Sequence, residues 1–197
     1  MRTLLLGMLL CSACVPALFS TGEDETQEAW VAPENSWEVN TPPEDLVEEG
    51  FLPGDVLPDC RLPDQFADTV SLWQFYGHVL VVDVSTSWCG PCQELAEDTE
   101  ETYNDYKPQD FTYVTILAEN ATRGDPSHED VNVWVDNFGI SAPVLGDPGQ
   151  ACTAAALAEY GEYPVVLLID REMRVREKVS PISDAALRAA IDTVLAE

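Results

Sequence analysis

Residues 79–92 have the sequence VLVVDVSTSWCGPC, and this stretch decides the fold. Residues 79–84 form a continuous apolar run with one acid, Asp83, inside it, which is typical of a strand covered on both faces. A helical pattern follows from about Pro91 to Tyr106. The sequence therefore places a Cys-x-x-Cys motif at the junction between a strand and a helix.

The position of Cys89 near the start of a helix favours a negative charge on its sulfur. Unpaired N–H groups and the helix macrodipole stabilise anions there. A thiol so placed has its pKa lowered from about 8.5 into roughly the 3.5–7.5 range. Cys92 follows one helical turn later, near enough to attack a mixed disulfide that Cys89 has formed. Pro91 suits the first turn, where a missing N–H is harmless.

Two other interpretations of the Cys-x-x-Cys motif are a zinc half-site and a purely structural disulfide. A closed zinc site needs four ligands, and the sequence has no second closely spaced Cys/His pair. His78 and His128 are isolated from each other and are interpreted as surface or packing residues. No metal and no other cofactor is predicted, while the structural disulfide remains an alternative.

Beyond the motif, strand patterns alternate with helix patterns. Strands are predicted at residues 111–118, 165–169 and 175–179, and helices over residues 127–138, over 151–160 and from about Asp184 onward. Strands that alternate with helices, closed by a hairpin and a last helix, indicate an α/β domain.

The composition limits the partners of this protein. Its 197 residues include 36 Asp+Glu against 9 Lys+Arg, for a formal net charge of −27, and 46% are hydrophobic. That length suggests one domain with a tail, and that hydrophobic share is enough to build a core. So acidic a chain repels phosphate backbones, which makes nucleic acid a poor partner. The acidic surface is interpreted as solvated, with a salty environment or a basic partner as alternatives.

The N-terminus predicts export. The apolar run of residues 4–10 is shorter than the about 20 residues that a membrane-spanning helix needs, and it matches the hydrophobic region of a secretory signal peptide over residues 1–20. Small residues precede Cys14, as in a bacterial lipobox, in which the cysteine after the cleavage site carries lipid. Cys11 stands where that pattern usually has Leu, so ordinary cleavage near residues 17–21 is the alternative to lipidation of Cys14.

Residues 21–50 differ in composition from the rest of the chain. They are acidic, contain proline, have no Lys or Arg and show no helical or strand period. This composition predicts a flexible tether between the signal site and a folded domain of residues 51–197. Trp30 and Trp37 are unusual in a linker, and docking of these two side chains on the domain is the alternative.

Export changes the interpretation of the cysteines. Signal cleavage removes Cys11 and removes or lipidates Cys14, which leaves four of the six cysteines in an oxidising compartment where disulfides persist. Four cysteines allow three pairings, and the sequence alone does not choose among them. The four are Cys60, Cys89, Cys92 and Cys152.

The segment Trp88-Cys89-Gly90-Pro91-Cys92 is identical to the thioredoxin active-site motif, and its surroundings resemble the exported, membrane-tethered TlpA/ResA group of thioredoxin-like proteins. Three features support the resemblance: Asp83 six residues before Cys89, Tyr163-Pro164 before the apolar run 165–169, and Asp147-Pro148-Gly149 before a helix. The resemblance covers residues 51–197. It implies an α/β thioredoxin fold, a central mixed β-sheet flanked by helices, with a TlpA-like N-terminal strand and an inserted helix.

The resemblance implies a proton-relay role for Asp83. In the family this acid carries a proton to or from the resolving cysteine, which is Cys92 here. Desolvation inside an apolar strand would raise the pKa of Asp83 and suit it to acid–base work near neutrality. The alternative is an acid at the strand end that is exposed to solvent.

The resemblance also implies a client-binding surface. The peptide bond before Pro164 would be cis, and the backbone of Tyr163 would pair with an extended segment of the client protein. Gly90, Pro91 and Trp88 would complete this surface beside the cysteines. The alternative for Trp88 is a simple place in the core.

Two positions depart from the family pattern. Leu95 stands where relatives often carry Glu, and Tyr163 stands where many have Thr before the cis-proline, so substrate selectivity does not transfer from relatives. Cys60 and Cys152 are additional to the motif, and we expect them to form a structural disulfide that joins the first strand of the domain to its penultimate helix. Two buried free thiols or a third redox cysteine are the alternatives.

The function predicted from the resemblance is an exported, periplasmic thiol–disulfide oxidoreductase that acts on protein disulfides or dithiols. The Gly-Pro dipeptide resembles the reducing end of the family, which favours a reductase supplied by a membrane electron donor. One alternative is a non-catalytic, acidic binding module with the same fold. Another is a thiol peroxidase, which expects Pro-x-x-x-Thr-x-x-Cys, but no such proline precedes Cys89.

Overall fold

The computed structural model describes residues 30–180 and 182–197. The predicted signal peptide, with Cys11 and the lipidation candidate Cys14, therefore lies outside the described residues. In chain order the elements are β1 (Arg61–Pro63), β2 (Thr69–Ser71), β3 (Val79–Thr86), α1 (Gly90–Tyr106), β4 (Phe111–Glu119), α2 (His128–Phe138), β5 (Val144–Gly146), α3 (Thr153–Tyr160), β6 (Val165–Ile169), β7 (Val175–Lys178) and α4 (Asp184–Leu195). None of the described helices is both long enough and apolar enough to span a bilayer.

A five-stranded mixed sheet in the order β5-β4-β3-β6-β7 forms the centre of the fold. Strand β4 runs parallel to β3 and β5, whereas β6 lies antiparallel to both β3 and β7. Strands β1 and β2 form a separate antiparallel hairpin before the sheet. This arrangement confirms the predicted α/β class, with a central mixed sheet flanked by helices.

The two faces of the sheet carry separate cores because β3 alternates its side chains between them. Leu80 and Val82 belong to the core on the face of the β1–β2 hairpin. Val79 and Val81 belong to the opposite core, which is built with α1, α2 and α4. Every residue of β3 is buried, as its apolar run predicts. By the same alternation, Asp83 lies on the face that packs against α1.

The longer elements match their predicted bounds to within two residues, and α4 begins at Asp184 as expected. Ser127 caps α2 and accepts the backbone N–H of Asp130, which confirms the predicted helix start. The structure adds β1, β2 and β5, each three residues long. Segments this short do not complete enough alternations to show a strand period, so local patterns did not indicate them, and only the resemblance implied an N-terminal strand.

Part of the predicted tether, residues 30–50, contacts the domain through individual side chains. The Trp37 indole Nε1 donates to Asp64 Oδ2 over 2.8 Å, and the Trp37 ring packs against Phe66 with centroids 5.8 Å apart. Leu46 packs on the core of the same face. Both side chains are partly buried, as the docking alternative for Trp37 expects, while the flexibility of residues 21–50 and the domain boundary at residue 51 stay predictions. The remainder of the predicted tether lies outside the described residues.

Candidate active site

Cys89 caps the N-terminus of helix α1 and is joined to Cys92 in a disulfide, with their Cα atoms 5.2 Å apart. Strand β3 ends at Thr86, and the Cys89 backbone N–H donates to the Thr86 carbonyl oxygen over 3.2 Å, which fixes the turn into the helix. The Cys89 Sγ accepts the backbone N–H of Cys92 over 3.3 Å. The sulfur therefore lies at the helix start, where unpaired N–H groups stabilise negative charge.

The two cysteines of the motif differ slightly in burial. Cys92 is fully buried, whereas 5% of Cys89 is exposed. Gly90 and Pro91, which follow Cys89, are exposed. Cys89 therefore lies nearer to solvent than Cys92, beside the exposed first residues of α1.

Asp83 is fully buried, on the same face of the sheet as Cys92. The Ser85 hydroxyl donates to Asp83 Oδ1 over 2.6 Å, and Asp83 Oδ2 has no hydrogen-bond partner among the described residues. Desolvation raises the pKa of Asp83 from its ordinary value of 3.8 to about 7, and the Ser85 hydrogen bond opposes this rise. The solvent-exposed alternative for Asp83 is therefore wrong, and the carboxyl is suited to exchange a proton near neutral pH.

Tyr113 is a buried neighbour of Asp83 that the sequence did not single out. It lies on β4 opposite Val81, in a parallel register that places Thr115 opposite Asp83. Desolvation and then the charge of Asp83 raise the pKa of Tyr113 well above its ordinary range. Tyr113 is therefore neutral at physiological pH and adds no charge beside Asp83.

The Tyr163–Pro164 peptide bond is cis, as predicted. Val165, the next residue, pairs with Val84 near the end of β3, which brings this loop to the same end of the sheet as the motif. The Tyr163 ring meets the Trp88 ring edge-on, with centroids 6.1 Å apart and an interplanar angle of 84°. The structure therefore brings the loop before Pro164 and the tryptophan of the motif together.

Glu119 and Arg123, which the sequence analysis missed, contact Trp88 from two sides. The Trp88 Nε1 donates to Glu119 Oε2 over 2.7 Å, and Gln150 Nε2 donates to Glu119 Oε1 over 3.0 Å. The guanidinium carbon of Arg123 lies 3.6 Å from the centroid of the Trp88 ring. Glu119 pairs with Thr86 across the sheet. The parallel register of β3 with β4 therefore places Glu119 beside the motif, whereas no spacing along the sequence indicates that position.

The second pair of cysteines, Cys60 and Cys152, is also bonded in the structure, with Cα atoms 5.7 Å apart. Cys60 directly precedes β1 and Cys152 caps α3, so the bond links the N-terminal hairpin to that helix. Buried Asp147 accepts the backbone N–H groups of Cys152 and Thr153 over 3.1 and 2.7 Å, which fixes the helix start. This pair belongs to the core on the face of the sheet opposite Cys89.

The two histidines contact neighbouring polar groups and lie apart in the chain, His78 in the bend before β3 and His128 at the start of α2. His78 Nδ1 lies 3.1 Å from Thr112 Oγ1, and His128 Nε2 lies 2.9 Å from the Gln65 carbonyl oxygen. Within residues 30–180 and 182–197, no group of three or more His, Cys, Asp or Glu side chains is arranged to hold a metal ion. His78 is half-buried and His128 is exposed, so the prediction that they are surface or packing residues stands.

Comparison with known proteins gives one family and several relatives. The family model of the AhpC/TSA family matches residues 53–178. The thioredoxin-like protein YneN of Bacillus subtilis is 23% identical over 127 residues, which are 64% of this chain and 69% of YneN. The thiol-disulfide oxidoreductase ResA of Geobacillus kaustophilus is 28% identical over 127 residues, which are 64% of this chain and 68% of ResA.

Solved structures give the same fold. A Chlorobium tepidum protein assigned as the thiol:disulfide interchange protein DsbE superposes with a TM-score of 0.63 at 26% identity, covering 74% of this chain and 99% of that one. A thiol:disulfide interchange protein of Bacteroides superposes with a TM-score of 0.62, covering 75% of this chain and 92% of that one. Its identity is 20%, so this second likeness concerns the fold alone.

Proposed function

We propose that this chain, which belongs to the AhpC/TSA family of thioredoxin-like proteins, is a thiol–disulfide oxidoreductase that exchanges disulfides with protein clients through Cys89 and Cys92. The observation that carries the proposal is the position of this pair at the start of α1, where the Cys89 Sγ accepts the Cys92 N–H. Relatives named thiol-disulfide oxidoreductase support the same class of enzyme.

In the reducing direction, the Cys89 thiolate attacks one sulfur of a client disulfide. The client S–S bond breaks, its second sulfur leaves and takes up a proton, and a mixed disulfide forms between Cys89 and the client. The Cys92 thiolate then attacks the Cys89 sulfur, displaces the client sulfur and closes the Cys89–Cys92 disulfide. Two electrons pass from the protein to the client, whose two sulfurs end as thiols.

Asp83 accepts the proton that Cys92 loses before this second attack. With a pKa of about 7, its carboxyl populates both the ionised and the neutral form near neutrality. Its position on the face of β3 that packs against α1 supports transfer to and from Cys92, either directly or through water. In the oxidising direction, the same carboxyl returns the proton.

The client binds as an extended segment along the loop before Pro164, with the Tyr163 backbone as its hydrogen-bonding partner. Gly90 and Pro91 are exposed beside Cys89, and Trp88 is half-buried. These residues supply apolar contact next to the reacting sulfur. Backbone pairing supplies affinity that depends little on the client sequence.

The proposed direction is reduction, and the proposed place is outside the cytoplasm. The Gly-Pro dipeptide between the cysteines resembles that of thioredoxin, whose reduction potential is about −270 mV. The strongest oxidants with a Cys-x-x-Cys motif have a much higher reduction potential, about −120 mV. A membrane protein supplies the electrons, as the resemblance to the exported group implies. Lipid on Cys14, attached when the signal peptide before it is cleaved off, holds the protein at the membrane, and this second statement rests on the N-terminal sequence.

Reduction of insulin disulfides, with dithiothreitol as the source of electrons, tests the proposal. The wild type accelerates the reaction and Cys89→Ser abolishes it. Cys92→Ser accumulates a mixed disulfide with Cys89, which mass spectrometry detects. Full activity of Cys89→Ser would contradict the assigned nucleophile, and an inactive wild type with intact, reducible cysteines would favour the acidic binding module.

A further inference from the structure

Arg123 lies over the tryptophan of the motif. Its guanidinium carbon is 3.6 Å from the centroid of the Trp88 ring. Arg123 has a φ of 64°, in the left-handed region that non-glycine residues rarely adopt. The Asn120 side chain holds this turn by accepting the N–H groups of Thr122 and Gly124, both over 3.0 Å. The loop after β4 therefore fixes Arg123 in an uncommon backbone conformation next to Trp88.

The Arg123 side chain is exposed. The N–H groups of its guanidinium donate no hydrogen bond within the described part of the chain. It forms no ion pair there, and neither do Lys107 and Arg171, whereas five other basic residues of that part each pair with an Asp or Glu: Arg61, Arg174, Arg176, Lys178 and Arg188. Stacking on Trp88 occupies the face of the guanidinium and leaves its in-plane N–H donors available. Those donors match the two oxygens of a carboxylate.

We propose that Arg123 determines client specificity by binding the carboxylate of an Asp or Glu close to the reacting cysteine of the client. The inference rests on the proposed function, because it needs a client disulfide at Cys89. Trp88 precedes Cys89 in the chain and its ring meets the Tyr163 ring. A client segment seated on Tyr163 therefore passes within reach of the guanidinium.

The acidic surface of the protein makes this local cation selective. A net charge of −27 repels an acidic client at long range, but ionic strength near the physiological value screens that repulsion beyond about 8 Å. Within that distance, the Arg123 guanidinium attracts a client carboxylate and can pair with it. Glu119 accepts the N–H groups of Trp88 and Gln150, Asp125 accepts a backbone N–H, and neither acid pairs with Arg123 in the described part of the chain.

Single-turnover oxidation of the reduced protein by disulfide-linked peptide dimers tests this proposal. Three peptides differ only at the residue beside their cysteine, which is glutamate, glutamine or lysine. At about 0.15 M ionic strength, we expect the wild type to react about threefold to tenfold faster with the glutamate peptide than with the glutamine peptide. Arg123→Gln removes this preference, Arg123→Lys keeps part of it, and Arg123→Glu reverses it in favour of the lysine peptide.

Arg171→Gln is the matched control, because it makes the same change in net charge, from −27 to −28, as Arg123→Gln. Arg171 follows β6, whose last residue, Ile169, pairs with Leu80 at the end of the sheet away from the motif. The control keeps the glutamate preference of the wild type.

Two results would overturn the proposal while leaving the proposed function intact. If Arg123→Gln slows all three peptides equally, Arg123 only supports Trp88. If Arg123→Gln keeps the glutamate preference, another group of the protein recognises the glutamate of the client. A wild type that reacts with none of the peptides would instead overturn the proposed function, and this inference with it.

Discussion

The Sγ atom of Cys89 lies 3.3 Å from the backbone nitrogen of Cys92 and accepts its N–H. The turn from strand to helix therefore supplies a hydrogen-bond donor to the reacting sulfur, because the same N–H can donate to Cys89 when it is a thiolate. The first turn of α1 carries no acidic residue, so no carboxylate of that turn opposes the charge. In a chain with 36 Asp+Glu, the helix start is a local site that favours an anion.

Asp83→Asn should remove a pH-dependent loss of stability. The pKa of Asp83 is about 7 in the folded protein against an ordinary value of 3.8. The folded state therefore binds more protons than the unfolded state between these values, and the free energy of unfolding of the wild type falls as pH rises through this window. At about 1.4 kcal/mol per pKa unit, the free energy of unfolding of the wild type should fall by about 3–4 kcal/mol relative to that of Asp83→Asn between about pH 4 and pH 8.

Urea unfolding of the oxidised proteins between about pH 4 and pH 8 measures this loss. Asp136→Asn, the same change at an exposed position of α2, is the control and should follow the wild type. Wild-type and Asp83→Asn stabilities that stay parallel across the range would contradict the raised pKa of Asp83.

The Cys60–Cys152 bond should stabilise the fold without taking part in exchange. It closes a loop with a sequence separation of 92 residues, so its loss in the double variant Cys60→Ala/Cys152→Ala should lower the free energy of unfolding by about 2–4 kcal/mol. Insulin reduction should persist, because this pair lies in the core opposite the one that contains Cys89. Denaturant unfolding and the insulin assay on the same samples check both parts.

The double variant Cys89→Ala/Cys92→Ala is the comparison for that measurement. Its bond has a sequence separation of only 3, and the chain-entropy model gives short loops a smaller effect. An equal or larger loss of stability from this second variant would show that the Cys60–Cys152 bond is not the main covalent support of the fold.

Trp37→Phe should loosen the segment of residues 30–50. The substitution keeps an aromatic ring beside Phe66 but removes the indole N–H that donates to buried Asp64. Loss of a hydrogen bond to a charged group should lower the free energy of unfolding by about 1–3 kcal/mol. Hydrogen exchange should increase in residues 30–50. Val31→Ala, a change at an exposed position of the segment, is the control, and the same exchange in both variants would contradict the docking role of Trp37.

The sequence predicted the long elements because their patterns are local. The apolar run of β3, the stripe of α2 and the capping Ser127 each depend on neighbours within one element, and the structure has all of them. The cysteine motif could be recognised for the same reason, since its strand, turn and helix start occupy one stretch of chain. Asp83 also follows from that stretch, because burial of β3 on both faces removes it from water.

The features that the sequence did not predict depend on pairing between distant segments. Glu119 reaches Trp88 only because β4 lies parallel to β3 in the observed register. Residues 30–50 have the composition of a free linker, but their tryptophans meet acceptors that no local pattern shows, such as buried Asp64. Arg123 is one of 9 basic residues, and only the folded loop distinguishes it from the others.

Titration of the Cys89 thiol in the reduced protein tests the central claim most directly. The rate of alkylation of Cys89 by iodoacetamide, mapped by mass spectrometry across pH, reports the fraction of thiolate. We predict that the pKa of Cys89 lies in roughly the 3.5–7.5 range that a helix start produces, below the about 8.5 of a free thiol. A Cys89 pKa at or above about 8.5 would contradict the proposal that the start of α1 activates this sulfur for disulfide exchange.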